Sequence, residues 1–131
     1  MPISAFLNFP GNCREAVAFY ARVFRLPLPP MIPYGDPTSD SDKSLVLYAS
    51  LAIFGSDVMF CDTSAAADHI TGNNFSLTIG SADGDELRRV FDELSHGGQV
   101  SMPPQTTFWS DWFARVTDKY GIDWQLSRSQ S

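Results

Sequence analysis

The chain has 131 residues, 44% hydrophobic and 18% charged, which is enough for one compact domain or two small modules sharing a core. Its 15 acidic and 9 basic side chains leave a formal net charge of −6. That balance excludes nucleic acid as the expected partner, because phosphate contacts need clustered Lys and Arg, and it disfavours anionic membrane surfaces.

The opening MPISAFLNFPGN has no basic n-region, and no apolar run reaches the roughly 18 residues of a membrane-spanning helix. A cytoplasmic protein is the expectation. Residues 3–9 alternate as a short strand, with Ile3, Ala5, Leu7 and Phe9 on one face and Ser4, Phe6 and Asn8 on the other. Pro10-Gly11 ends it. Asn12, with Glu15 three residues later, has the form of a capping box, and Ala16, Val17, Tyr20, Val23 and Phe24 recur at helical spacing. The two cysteines, Cys13 and Cys61, lack C-x-x-C spacing and a neighbouring His, so they read as reduced structural thiols.

Residues 26–43, LPLPPMIPYGDPTSDSDK, are too rich in Pro, Ser and Asp for a helix and predict an extended segment followed by a mobile loop. Residues 45–54 predict a strand, Gly55-Ser56 a turn, and residues 57–61 the returning strand. Residues 62–72, including His69, predict a loop. Asp57, Asp62, Asp118 and Asp123 bracket strands and turns and read as solvated turn residues.

The same order then recurs about 70 residues on. Residues 73–79 predict a strand, and Asp83 with Glu86 caps a helix carrying Leu87, Val90, Phe91 and Leu94 on one stripe. Gly97-Gly98 stops it, with His96 near the C-terminal carbonyls. Residues 99–102 predict an extended piece, and 112–117 and 122–127 two strands around Asp118-Lys119-Tyr120-Gly121. The expected fold is therefore α+β: two βαβββ modules, residues 1–65 and 72–131, with the second faces of the two sheets forming a half-barrel cleft. Residues 102–126 hold all three tryptophans. Alternation sends Trp112, Ala114, Val116 and Trp124 toward the helix and leaves Phe113, Arg115, Thr117 and Gln125 on the other face.

Pro2-Ile3-Ser4 through Ala16, the central Gly55-Ser56-Asp57-Val58-Met59, Gln105 through Trp109, and Thr117-Asp118-Lys119-Tyr120-Gly121 with Trp124 resemble the PhnB-like proteins of the glyoxalase/bleomycin-resistance (vicinal oxygen chelate) superfamily, nearly end to end. The resemblance implies paired βαβββ modules, a homodimer, and a cleft that in the superfamily's enzymes holds a divalent metal on His and Glu. The position of the expected His is held by Tyr48, and that of the expected Glu by Gln125. A phenol and a neutral amide are poor ligands for a first-row metal.

No P-loop, dinucleotide loop or assembled Ser-His-acid set occurs, so no catalytic residue, metal site or cofactor is assigned. For the same reason, a demethylubiquinone methyltransferase activity, a label attached to some relatives, finds no support: no glycine-rich loop follows a first strand. The expected function is metal-free binding of an unidentified small molecule through Tyr48, Gln125, Phe113, Arg115 and Trp109, with a cationic ligand tolerated by the acidic balance. The chain thus reads as a binding protein rather than an enzyme. Two alternatives are a metal-dependent lyase, isomerase or dioxygenase using displaced ligands such as His69 or Asp62, and an interaction or structural dimer with a filled cleft.

Overall fold

The computed structural model describes residues 3–34, 45–63 and 69–129. Most of the loop expected within residues 26–43 and part of the segment 62–72 lie outside the described residues. The chain divides into two compact units, Met1–Ile70 and Thr71–Ser131. The first contains β1 (Ala5–Phe9), α1 (Cys13–Val23), β2 (Ile32–Pro33), β3 (Val46–Ile53) and β4 (Ser56–Asp62); the second contains β5 (Leu77–Ser81), α2 (Gly84–Leu94), β6 (Gln99–Gln105), β7 (Phe113–Thr117) and β8 (Asp123–Arg128).

The repeat is one of topology. The first sheet has the order β1-β4-β3-β2 and the second β5-β8-β7-β6. In each, the opening strand pairs parallel with the closing strand, and the remaining neighbours are antiparallel. A parallel pair cannot be joined by a tight hairpin, and in each unit the helix and the two strands after it carry the chain from the opening strand to the closing one. The architecture is the α+β one expected, although the strand ends differ. β5 begins at Leu77, and β6 continues to Gln105 through Pro103-Pro104. Those prolines are tolerated because β6 is a sheet edge, where a missing N–H costs no ladder bond.

One face of each sheet is covered by its helix. In the first unit, Tyr20 of α1 stacks at 5.6 Å on Phe60, which lies 6.3 Å from Phe9. Around them Ala16, Val17, Val46 and Ala49 are buried. In the second unit, Leu87, Val90 and Leu94 of α2 are buried, as are Ala114, Val116, Trp124 and Leu126 of the sheet, and Phe91 meets Trp112 edge-on at 6.2 Å. The assignment of Trp112 and Trp124 to the helix side is therefore observed.

The two helices begin differently. Asp83 caps α2 as its sequence predicts, its Oδ1 accepting from the Glu86 N–H at 3.1 Å. Asn12 does not cap α1, since its side chain makes no capping bond. The cap comes instead from the end of β4: Asp62 Oδ1 accepts from the Gly11 and Cys13 N–H groups at 2.9 Å each, and its Oδ2 accepts from the Val46 N–H at 2.8 Å. A carboxylate suits this place because the first turn exposes unpaired N–H groups and the positive end of the helix dipole. Asp118 does a comparable job in the second unit, accepting from Tyr120 and Ile122 N–H through Oδ1 and from Trp124 Nε1 through Oδ2. Asp62 is 0% and Asp118 3% exposed, so neither is the solvated turn residue expected. The β3–β4 turn also falls one residue earlier, at Phe54-Gly55, where φ values of 49° and 83° match a two-residue hairpin turn with both central residues left-handed.

Removing the Asp62 carboxylate leaves three buried or part-buried N–H groups without their acceptor. Asp62→Ala is expected to lower unfolding free energy by about 3 kcal/mol or more, a large part of a domain's typical stability, whereas Asp57→Ala at an exposed strand position should change it by about 0.5 kcal/mol or less. Urea unfolding followed by far-UV circular dichroism, to which the helix and sheet of the first unit contribute, checks both.

Candidate functional site

Each sheet has a second face that its helix does not cover. On the first sheet this face carries Phe6 and Asn8 of β1 with Tyr48 and Ser50 of β3, as the pairings Phe6↔Met59, Asn8↔Cys61 and Ser50↔Met59 require. Tyr48 is 38% exposed and meets Phe6 edge-on at 6.2 Å. Two exposed aromatic rings thus stand together where an imidazole was expected from the family pattern. Neither ring is a metal ligand of useful strength.

On the second sheet the uncovered face holds Phe113, Arg115 and Thr117 of β7 against Ser127, Gln125 and Asp123 of β8. Gln125 lies directly opposite Arg115, and its Nε2 donates to Ser76 Oγ at 3.1 Å. Arg115 is turned toward Asp123: Nε donates to both carboxylate oxygens at 3.2 and 3.1 Å, and Nη2 donates to Oδ2. This hydrogen bonding, followed by the charge of Asp123, raises the guanidinium above its ordinary pKa and keeps it charged.

Phe113 shares this face but is 5% exposed, packing edge-on against Trp109 at 5.2 Å. The pair reaches solvent through Trp109, 53% exposed, and Phe108, 97% exposed. Both sit in a short loop closed by Thr107 N–H donating to the Ser110 carbonyl at 2.8 Å. The loop is anchored by the buried Ser110 hydroxyl, which lies 2.7 and 3.0 Å from the carbonyl oxygens of Trp112 and Arg128.

Beside Arg115, the second unit contains a pocket of about 390 Å³ lined by Thr71, Gly72, Asn73, Ser101, Met102, Arg115, Thr117, Gly121 and Asp123. Gly121 has φ +88°, and a Cβ there would stand 3.0 Å from Thr71 Cγ2, so a glycine both permits the turn and lets this wall close. Of the five residues singled out from sequence, the structure thus brings Phe113 and Trp109 into contact and sets Arg115 opposite Gln125. Tyr48 belongs to the other unit. Asp123 and Ser76 were missed as partners because sequence spacing does not show which side chains a sheet register brings together.

The residues proposed as displaced metal ligands do not form a site. Asp62 has both oxygens engaged by backbone N–H groups, and His69 Nδ1 lies 3.2 Å from Thr63 Oγ1. Among the described residues no group of three His, Cys, Asp or Glu side chains is placed to hold a metal ion, and no helix is long and apolar enough to cross a membrane. Among the described residues the donor set does not fit a divalent first-row metal ion.

Paired βαβββ modules define a protein of the glyoxalase/bleomycin-resistance/dioxygenase fold; an enzyme so described from Burkholderia phytofirmans matches with a TM-score of 0.63 at 14% identity, covering 96% of this chain and 94% of its own. The chain belongs to the PhnB-like family, whose model, described as 3-demethylubiquinone-9 3-methyltransferase, matches residues 2–127. It is 33% identical over 140 residues to Protein YjdN of Escherichia coli K12, covering 97% of this chain and 95% of that one. Protein PA1353 from Pseudomonas aeruginosa has a TM-score of 0.87 at 31% identity, covering 100% and 99% of the two chains. The PhnB protein from Bacillus cereus has a TM-score of 0.79 at 26% identity, covering 98% and 100%. Membership carries the family and the fold, not the methyl transfer named in the family description.

The two thiols are free and buried. Burial, then the nearby Asp62 charge, pushes Cys13 up to about 12, and Cys61 is raised for the same reasons. Cys61 Sγ also donates to Asn8 Oδ1 at 2.9 Å. A thiolate is the reactive form, so native protein should label with iodoacetamide at neutral pH far more slowly than urea-unfolded protein. Because the folded pKa of Cys13 is raised, its contribution is complete below the unfolded value of 9.0 and is lost as pH rises toward about 12. Urea midpoints should therefore fall more steeply above pH ~9 in the parent protein than in Cys13→Ala.

Proposed function

We propose that the chain is a metal-free small-molecule-binding protein of the PhnB-like family, working as a homodimer in the cytoplasm, with Tyr48 on one sheet and Phe113, Arg115, Gln125 and Trp109 in the second unit as its ligand-contacting residues. The observation that carries the metal-free part is the pairing of Arg115 opposite Gln125. Side chains directly opposite in an antiparallel pair have Cβ atoms about 5 Å apart. A divalent cation beside Gln125 would therefore meet a guanidinium across the ladder and a neutral amide in place of a carboxylate. Asp123, the acid on the same face, is already taken by that guanidinium.

The binding part is supported by the exposed aromatic groups. Tyr48 with Phe6, and Trp109 with Phe108, offer ring surface beside polar groups, the usual make-up of a small-ligand site. The net charge of −6 accommodates a cationic aromatic ligand. Metal-dependent chemistry with displaced ligands has less support, since Asp62 is consumed by the α1 cap.

Two measurements test this reading. Elemental analysis of protein purified without chelators is expected to find far less than one equivalent of Zn, Fe, Mn or Ni; a stoichiometric metal would sink it. A melting-temperature screen with neutral, cationic and carboxylate-bearing aromatic compounds should find binders that raise the midpoint by several degrees at about 100 times Kd, where binding adds about 2.7 kcal/mol. Tyr48→Ala or Trp109→Ala should diminish that shift, and no shift with any compound would count against a binding role.

A further inference from the structure

The pairing of Arg115 with Asp123 leaves part of the guanidinium uncommitted. Arginine carries five N–H donors in a planar fork that can meet a carboxylate along its Nε side or end-on through both Nη groups. Asp123 occupies the Nε side, using Nε and Nη2. The end-on edge, made by Nη1 and the second Nη2 proton, takes part in none of these bonds. Arg115 lines the pocket of about 390 Å³, with Asn73, Ser101, Met102 and Thr117 around it. The cavity is thus bounded by amide and hydroxyl groups, one thioether, a guanidinium and the Asp123 carboxylate, which engages the Nε side of the guanidinium and leaves its end-on edge to the pocket.

We propose that this pocket of the second unit binds a small organic carboxylate, seated end-on against Arg115. The assignment deepens the small-molecule-binding reading and rests on it. Two parallel N–H···O bonds suit a planar carboxylate, and the Asn73 amide and Thr117 hydroxyl supply hydrogen-bonding capacity for a polar substituent. Met102 gives an apolar contact for a short carbon skeleton. Asp123 has two opposing effects: it holds the guanidinium in place and offsets part of its charge. Affinity is therefore modest in the parent protein, and shape and bidentate geometry select the acid over its neutral analogues.

The test is an NMR titration of 15N-labelled protein with benzoate and acetate, compared with benzamide and inorganic phosphate. Benzoate and acetate are expected to shift the amides of Arg115, Thr117 and Ser101, and Arg115→Gln is expected to weaken both by about 10- to 100-fold, the range for losing charge-assisted hydrogen bonds. Asp123→Asn is expected to tighten carboxylate binding several-fold by removing the competing charge, an outcome that a purely structural ion pair would not produce. Should Arg115→Gln unfold because it strands Asp123, the double variant Arg115→Gln/Asp123→Asn removes both charges and must still lose the acids. Equal binding of benzoate and benzamide, stronger binding of phosphate, or acid binding undiminished in the Arg115 variants would overturn the carboxylate site. Neutral aromatic binding that persists without acid binding would overturn this site alone, whereas no binding by any compound would overturn both it and the binding function.

Discussion

The buried carboxylate of Asp62 is the constraint on which the first module depends. It sits at the last residue of β4 and accepts from the chain before α1, from the first helical residue and from the first residue of β3. One side chain therefore joins the closing strand, the helix entry and the central strand. A buried charge without partners would be expensive, and this one is stabilised by N–H groups that the helix and loop geometry leave unpaired. The second module uses Asp118 at its β7–β8 turn, tying the turn backbone to the Trp124 indole beneath α2. The two modules share a topology but secure it with acids at different places.

These anchors set the faces of the sheets. Once Trp124 is held under α2, period-two alternation places Asp123, Gln125 and Ser127 on the other face of β8, and the antiparallel register sets Arg115 across from Gln125. The polar groups of the uncovered face thus follow from the packing of the covered one. The ion pair between Arg115 and Asp123 is a consequence of that register, its partners lying on adjacent positions across two strands. Its geometry decides the chemistry of the face more than the presence of any one residue does.

Family and function separate at this point. The modules and the family match over residues 2–127 establish the family, while Tyr48 and Gln125 stand where the sequence resemblance led to the expectation of a His and a Glu. The first sheet carries the Phe6–Tyr48 pair on its uncovered face, and the second carries the Arg115–Asp123 pair. A phenyl ring, a phenol and a guanidinium are poor ligands for a first-row metal.

The amino-acid sequence by itself determined the two helices, the succession of strand, helix, extended piece and hairpin in each module, the helix-facing stripe and the inward course of Trp112 and Trp124. Each of these is a matter of local period, turn chemistry and apolar patterning over a few residues. Gln125 was placed on the uncovered face of its strand for the same reason, since alternation along a strand is a local fact. Only the tertiary structure decided that Asp62 and not Asn12 caps α1, that Asp118 is buried beneath a turn, that Phe113 packs against Trp109, and that Arg115 is held by Asp123 beside a pocket. Those are contacts between residues brought together by sheet register and burial, and no local pattern in a chain specifies which distant N–H group, ring or carboxylate will be waiting at the other end.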